Sequence, residues 1–249
     1  VKPIVMVTRT IASSTISATG NHDVGWSTVS GVVPPNSSAL GRRQLSAWWA
    51  EGKRVDVAVY EAILRTPTPS LDRGMSRLTQ AANYSRLWLG SAAILAVTRG
   101  GRGRRAAVVG LASVAATSAV ANLVVKPLGR RRRPDSSAAP ADRRAPMPAS
   151  SSFPSGHAAS AFAFATGVGT VLPGDSIPIR ALATVVAYSR VHTGVHYPAD
   201  VIAGGFLGTT LAQLTTRALD RWLDPPVRDA RGRVRPARTH AGASTASLV

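Results

Sequence analysis

Residues 106–125 read AAVVGLASVAATSAVANLVV and end against Lys126-Pro127. The run carries no charge and has the ~20 residues that a helix needs to cross a bilayer. Outward from it, four more stretches are apolar or small: Leu87–Thr98, His157–Leu172, Ile177–Val191 and Val201–Leu214. The first reaches crossing length only if it starts near Leu78, which puts Arg86 inside it or at its edge, and Ile177–Val191 is interrupted by Arg180 and Arg190. The last three are short and rich in Gly and Ala, as expected of helices packed closely on one another rather than displayed to lipid. The expected fold is therefore all-α, a polytopic membrane helical bundle of about five to six helices. Five crossings, or five and an amphipathic helix, make up that number.

The amphipathic candidate runs from Trp48 to Leu64. Trp49, Val55, Val59 and Leu64 recur at helical spacing among Glu51, Lys53, Arg54, Asp56 and Glu61. It suits a membrane surface and an ordinary packing helix equally well. Residues 1–47 are rich in Ser, Thr, Gly and Pro around Val33-Pro34-Pro35-Asn36 and read as a disordered N-terminal segment. Residues 48–222 form the membrane domain, and 223–249 a basic, disordered tail. The start, Val1-Lys2-Pro3-Ile4, has no charged region followed by a long apolar run, so no cleavable signal peptide is expected. A net charge of +18 points to an anionic partner. Mean hydropathy is nevertheless +0.07, so the apolar residues are segregated, as in a membrane protein with basic ends. With no cysteine, disulfides and thiolate metal sites are excluded.

Three blocks carry chemistry: Lys126-Pro127 with Arg133-Pro134, then Pro154-Ser155-Gly156-His157, then Ser189-Arg190 with His196 and Asp200. Hydrolysing a phosphate ester without a metal requires charge to hold the phosphoryl oxygens, a nucleophile for phosphorus and a proton for the leaving group. Guanidinium forks match pairs of phosphate oxygens, and an ammonium adds a compact charge. Ser155 adds a hydroxyl donor and Gly156 an approachable amide, both at the start of a helix whose free N–H groups favour an anion. His196 is the candidate nucleophile, with Asp200 four positions on to take its second ring proton and fix its tautomer. His157 is the candidate general acid. Taken singly these residues have plainer explanations. Arg130–Arg133 is an ordinary solvated basic loop, Asp200 a helix cap, and His192 a structural or pocket-lining group. The occurrence of all three blocks in order overrides them.

The order and spacing resemble the signature of the type 2 phosphatidic acid phosphatase (PAP2) superfamily, Lys-x6-Arg-Pro, Pro-Ser-Gly-His and Ser-Arg-x5-His-x3-Asp, without a substitution. Residues 81–88 and 151–160 also look like actinobacterial members. The resemblance implies a PAP2/haloperoxidase-like bundle, with Lys126, Arg133 and Arg190 as phosphate ligands together with Ser155 and Gly156. It implies a phosphohistidine on His196 that water resolves, with no cofactor and no metal. The implied substrate is a membrane lipid phosphate or diphosphate: polyprenyl phosphate or diphosphate, phosphatidic acid or phosphatidylglycerol phosphate. The same blocks occur in soluble acid phosphatases and vanadium haloperoxidases, against which the uncharged 106–125 stretch weighs. A non-catalytic membrane protein that binds anionic lipid or nucleic acid through its arginines is the alternative of another class. No nucleic-acid partner is expected on the enzyme reading, and oligomeric state is left open.

The helix order brings the three blocks to one face of the membrane. Arg99, Arg102, Arg104 and Arg105, and the arginines beyond Leu214, fall at the opposite face. Short basic loops favour the cytoplasm. The expected location is the cell membrane with the site facing outward, although Arg130–Arg133, Arg143 and Arg144 run against the loop rule.

Overall fold

The computed structural model describes residues 6–16, 22–32, 37–137, 139–223, 227–228 and 234–235. It divides inside its first helix into two compact units, 1–54 and 55–249. In the first unit, β1 (Met6–Ile16) and β2 (His22–Val32) pair as an antiparallel hairpin, and α1 (Ser37–Arg65) begins there. Regular structure thus occupies much of the segment read as disordered; residues 1–5, 17–21 and 33–36 lie outside the described residues. In the tail, Val227–Arg228 and Val234–Arg235 form a two-residue ladder, and the remainder from 224 onward lies outside the described residues.

The second unit holds the end of α1, then α2 (Pro69–Ala81), α3 (Arg86–Thr98), α4 (Gly100–Leu128), α5 (Gly156–Val171), α6 (Ser176–His192) and α7 (Pro198–Leu223). The all-helical bundle is as expected, but the stretch from Leu78 to Thr98 is broken. A 3-10 turn at Asn83–Ser85 places Tyr84 and Ser85 at φ 55° and 58°, left-handed values that non-glycine residues rarely adopt. Arg86 consequently starts α3 rather than lying within a span.

Helix α4 is the one helix among the described residues that is long and apolar enough to cross a membrane by itself. Helices α5 and α6, of 16 and 17 residues, are about 25 Å long at 1.5 Å per residue. The bundle's outer surface is apolar, with Ile94, Val97, Val108, Leu123, Ile177, Ile202 and Phe206 all exposed. Its interior holds small and polar residues, among them Ala159, Ala163, Ser113, Thr117, Arg190, His192 and Asp200. Greasy side chains outside and small ones between helices suit a lipid solvent.

Helix α5 runs through the middle, with Ala158, Ala161, Phe164, Ala165 and Val168 buried on all its sides. Trp88 of α3 packs on Phe164 with ring centroids 5.5 Å apart. Helix α7 approaches through Gly204 and Gly208. A Cβ at Gly208 would overlap the Ala159 carbonyl oxygen, and one at Gly204 the Ser155 carbonyl oxygen. Those glycines set the distance between α7 and the start of α5.

At one end of the bundle, Arg99 pairs with Asp175 at 2.5 Å, Arg102 donates to the Val171 carbonyl at 3.2 Å and Arg105 meets Asp220 at 3.3 Å. The starts of α4 and α6 and the ends of α5 and α7 therefore meet there. The four opposite ends, which carry the three blocks, meet at the other.

Replacing Gly208 by Val, which forces a branched side chain into backbone, is expected to cost about 1–3 kcal/mol. The check is a thermal unfolding midpoint in detergent; a midpoint equal to that of the parent protein would show that α5 and α7 are not held at this separation.

Candidate active site

Each block is placed by the way its helix begins or ends. Helix α6 closes in a Schellman turn: Val195 N donates to the Arg190 carbonyl at 3.1 Å and Gly194 N to the Val191 carbonyl at 3.0 Å. Gly194 adopts φ 75°, the left-handed value this turn requires. His196 N also donates to the Arg190 carbonyl at 3.1 Å. The spacing Arg-x5-His is thus the length of one helix cap. Pro198 opens α7, and the Asp200 carboxylate reaches back to accept from Tyr197 N at 3.0 Å, as an acidic residue does in a capping box. The plainer function of Asp200, a helix cap, holds alongside its position beside His196.

Ser155 caps α5, its Oγ accepting from Ala158 N at 3.5 Å, and its own N–H donates to the Asp200 carbonyl at 2.9 Å. Capping uses the Ser155 oxygen as acceptor, so its O–H is the group left for an anion. Lys126 follows a π-helical turn, Ala121–Val125, of the kind that recurs at functional sites. Its ammonium donates to Asn122 Oδ1 at 2.9 Å and faces Gly156, where a Cβ would sit 3.6 Å from it.

Arg133 and His196 adjoin: Nη1 of the guanidinium lies 3.1 Å from imidazole Nε2 and 3.1 Å from the Val195 carbonyl. Its Nε donates to the Ser150 carbonyl at 2.9 Å, which fixes the fork. Arg190 is buried and donates through Nη1 to Thr79 Oγ1 at 2.6 Å, while its Nε has no partner. An orphaned buried donor on an arginine marks the place of an acceptor. His157 bonds through Nε2 to Asn83 Oδ1 at 2.9 Å. An amide oxygen only accepts, so Nε2 carries the proton. Arg190 and His157 line one cavity of about 390 Å³, and Lys126, Gly156 and His157 another of about 190 Å³. The residues named from sequence thus gather at one end of the bundle, and Lys126, Gly156, His157 and Arg190 line these openings.

The His196–Asp200 pair is looser than expected. Nδ1 stands 3.6 Å from Asp200 Oδ2, beyond hydrogen-bond length, because that carboxylate is already engaged. It accepts from Ser152 Oγ, from Tyr197 N and from Arg131 Nη1 at 2.9 Å. Arg131 reaches on to Asp56 Oδ2 at 2.5 Å and lies 4.1 Å over the Tyr197 ring, while Asp56 Oδ1 accepts from Ala199 N at 2.8 Å. One arginine of the basic run, read from sequence as part of a solvated loop, is therefore an internal strut. Asn83, Ser152, Asp56 and Arg131 are the site-supporting residues that sequence reasoning missed. Asn83 sits in a stretch quoted only for likeness, and nothing in the run Arg130–Arg133 distinguishes its second member.

His196 lies in the connection between α6 and α7. Burial pushes its imidazole down to about 4; Asp200 opposes this, while the guanidinium charges of Arg133 and Arg190 add to it. The ring is neutral at pH 7 and so keeps the lone pair a nucleophile needs.

The profile of the PAP2 superfamily matches residues 107–224. Decaprenylphosphoryl-5-phosphoribose phosphatase of Mycobacterium tuberculosis is 36% identical over 163 residues, which cover 64% of this chain and 86% of that protein. The chain belongs to the PAP2 superfamily. It is accordingly a PAP2-type phosphatase, a phosphoester hydrolase. An undecaprenyl-diphosphatase of Sulfolobus acidocaldarius is 41% identical over 76 residues, 29% of this chain and 35% of that one. Among solved structures, the PAP2-type transmembrane phosphatidylglycerolphosphate phosphatase of Bacillus subtilis superposes with a TM-score of 0.52 at 27% identity, covering 70% of this chain and 89% of the other. LpxE of Aquifex aeolicus, at 21% identity and a TM-score of 0.51 over 65% and 94% of the two chains, shares the fold. This PAP2 bundle is thus that of membrane phosphatases.

Two outcomes test the geometry. Arg131→Ala, which releases Asp200 and Asp56, is expected to lower kcat by up to about a hundredfold through misplacement of His196. Arg130→Ala and Arg132→Ala, in the same run, should each change it less than about twofold; equal effects at all three positions would deny Arg131 its special place. In an NMR titration of labelled histidine, His196 should stay neutral from pH 7 to 5. Asp200→Asn should lower its pKa further, because the neutralised side chain no longer favours the imidazolium, and Arg133→Gln should raise it. A midpoint at 6 or above in the parent protein would contradict the burial effect.

Proposed function

We propose that this chain removes a phosphate or diphosphate group from a membrane lipid, acting through a phosphohistidine on His196. The observation that carries the reading is the 3.1 Å approach of the Arg133 guanidinium to His196 Nε2. A nucleophilic nitrogen and a phosphate-grade fork that share one spot suit a phosphoryl group whose oxygen takes over the arginine's donor as phosphorus meets the lone pair. Arg133, Arg190 and Lys126 then hold the equatorial oxygens, joined by the Ser155 hydroxyl and the amide of Gly156, and offset the charge of the transition state.

In the first step the Nε2–P bond forms and the P–O bond to the lipid breaks. His157, entering the step with both ring nitrogens protonated, gives one proton to the departing oxygen and is left as the neutral imidazole. Asp200, 3.6 Å from Nδ1, favours the positive charge gained by the ring. In the second step His157, now the base, takes a proton from water as the water oxygen attacks phosphorus. The N–P bond breaks, inorganic phosphate leaves and both imidazoles are restored. No metal or cofactor enters this scheme.

The mycobacterial relative, matched over 86% of its length, is named for a lipid-linked phosphosugar, and other relatives for prenyl or glycolipid phosphates. The apolar exterior of the bundle supports a substrate that arrives from the bilayer. We assign the phosphatase to residues 48–222, in the cell membrane, with the site on the extracytoplasmic side. The orientation rests on the arginines at the opposite end: Arg99, Arg102 and Arg105 lie there, with Arg221 in the last turn of α7. At the site end, Arg131, Arg133, Arg143 and Arg144 are engaged with protein groups, so they count for less in a loop-charge rule.

Phosphate release from polyprenyl diphosphate, phosphatidic acid and phosphatidylglycerol phosphate in detergent tests the reading. Release is expected to persist in EDTA and to fall by at least about a thousandfold in His196→Ala. Loss in EDTA would overturn the metal-free route, and turnover of soluble monoesters alone would overturn the lipid assignment.

A further inference from the structure

Below Lys126, toward the middle of the bundle, α4 changes character. Ser118, Asn122 and Lys126 follow at four-residue spacing at the end of a helix whose stretch 106–125 carries no charge. They form a ladder: Lys126 Nζ donates to Asn122 Oδ1 at 2.9 Å, and Asn122 Nδ2 to the Ser118 carbonyl at 2.9 Å. From α5, Ser160 Oγ comes within 3.3 Å of Ser118 Oγ. With Tyr84 and Ser85 from the left-handed turn, these residues line the cavity of about 190 Å³ that opens beside His157.

Three features say what such a space accepts. The first is the cost of its polar groups. Asn122 is exposed, and Ser118 and Ser160 are half-buried, on a bundle whose outer face is apolar. Polar side chains at membrane depth are expensive and mark function by default. Two hydroxyls that share one hydrogen bond still hold a second hydrogen and several lone pairs between them. The second is position. The cavity starts at His157, the proposed proton donor, so its contents are the first atoms of the leaving group. The third is charge. Of the lining side chains, Lys126 alone carries a permanent charge. A second phosphate unit would find no further guanidinium there, and an acyl chain would meet hydroxyl and amide groups where it needs methyl groups.

We infer that this cavity is a leaving-group subsite for an uncharged, hydroxyl-bearing moiety, a sugar that links the phosphate monoester to the lipid chain. The inference rests on the phosphatase reading above and narrows its substrate class. Ser118, Asn122 and Ser160 bind the sugar hydroxyls, while Tyr84, 85% exposed, stands at the rim. Substrates lacking the sugar leave these groups unpaired, which is how a hydrogen-bonding site discriminates.

The test uses the full chain in detergent with three probes: a prenyl-phosphoryl pentose bearing a terminal phosphate monoester, a prenyl diphosphate, and phosphatidic acid. The parent protein is expected to favour the sugar-bearing probe by at least about tenfold in kcat/KM over each of the others. Ser118→Ala/Ser160→Ala should lower that preference about tenfold, chiefly through KM for the sugar-bearing probe. Ser160→Leu, which fills the cavity, should abolish it. Circular dichroism and gel filtration establish that both variants are folded. Equal turnover of the three lipids by the parent protein would overturn the inference, as would a preference unmoved in both folded variants, since the serines would then only join α4 to α5. Turnover of none of the three would overturn the lipid phosphatase reading itself, and the subsite with it.

Discussion

A single buried carboxylate joins the three sequence blocks. Asp200 is fully enclosed, and an enclosed charge requires partners. It draws them from everywhere the site needs to be fixed: Arg131 from the first block's loop, Ser152 ahead of the second, and Tyr197 N from its own helix start. Its main-chain oxygen holds Ser155 N as well. The end of α4, the start of α5 and the α6–α7 turn therefore converge because each contributes to one charge. His196 stands beside that junction with its other nitrogen turned to Arg133. The cluster of cations and the neutral imidazole proposed as nucleophile are two consequences of the same constraint.

A second enclosed pair repeats the principle farther out. Arg143 donates to Asp72 at 2.9 Å, to the Ile63 and Leu64 carbonyls at the end of α1 and to that of Thr66 just beyond it. Asp72 also meets His192 Nε2 at 2.9 Å, two residues from Arg190. An arginine from the long loop thus closes the end of α1 and ties α2 to α6 near Arg190. The interior is polar where charges are matched, and the exterior is apolar where lipid is the solvent. That inversion lets a site dense in arginine exist within a bundle of short, small-residue helices.

The blocks were legible through their likeness to the PAP2 signature, and their spacings prove to be those of helix ends. Arg-x5-His spans a Schellman cap, and Asp200 closes a capping box on Tyr197 N at the next helix start; both are local hydrogen-bond patterns. The bundle was legible too, from the uncharged run of α4 and the small-residue stretches after it. The break at Asn83–Ser85 was not, since no glycine or proline marks it, and neither was the strut role of Arg131 among four consecutive arginines. Local signals identify what a residue can do in its own turn, whereas a partner 69 or 75 positions away leaves no trace in its neighbourhood.

Sequence alone therefore determined the helical class, because helix periodicity acts within a few residues, and the family, because three short blocks match its signature; it also named the candidate reactive side chains. Tertiary structure decided which arginine faces His196 and which braces the carboxylate, and that His196 and Asp200 stand 3.6 Å apart rather than hydrogen-bonded. It also decided that a strained turn brings Asn83 to His157. These outcomes follow from burial, which obliges each enclosed charge and polar atom to find a partner wherever the packed helices supply one.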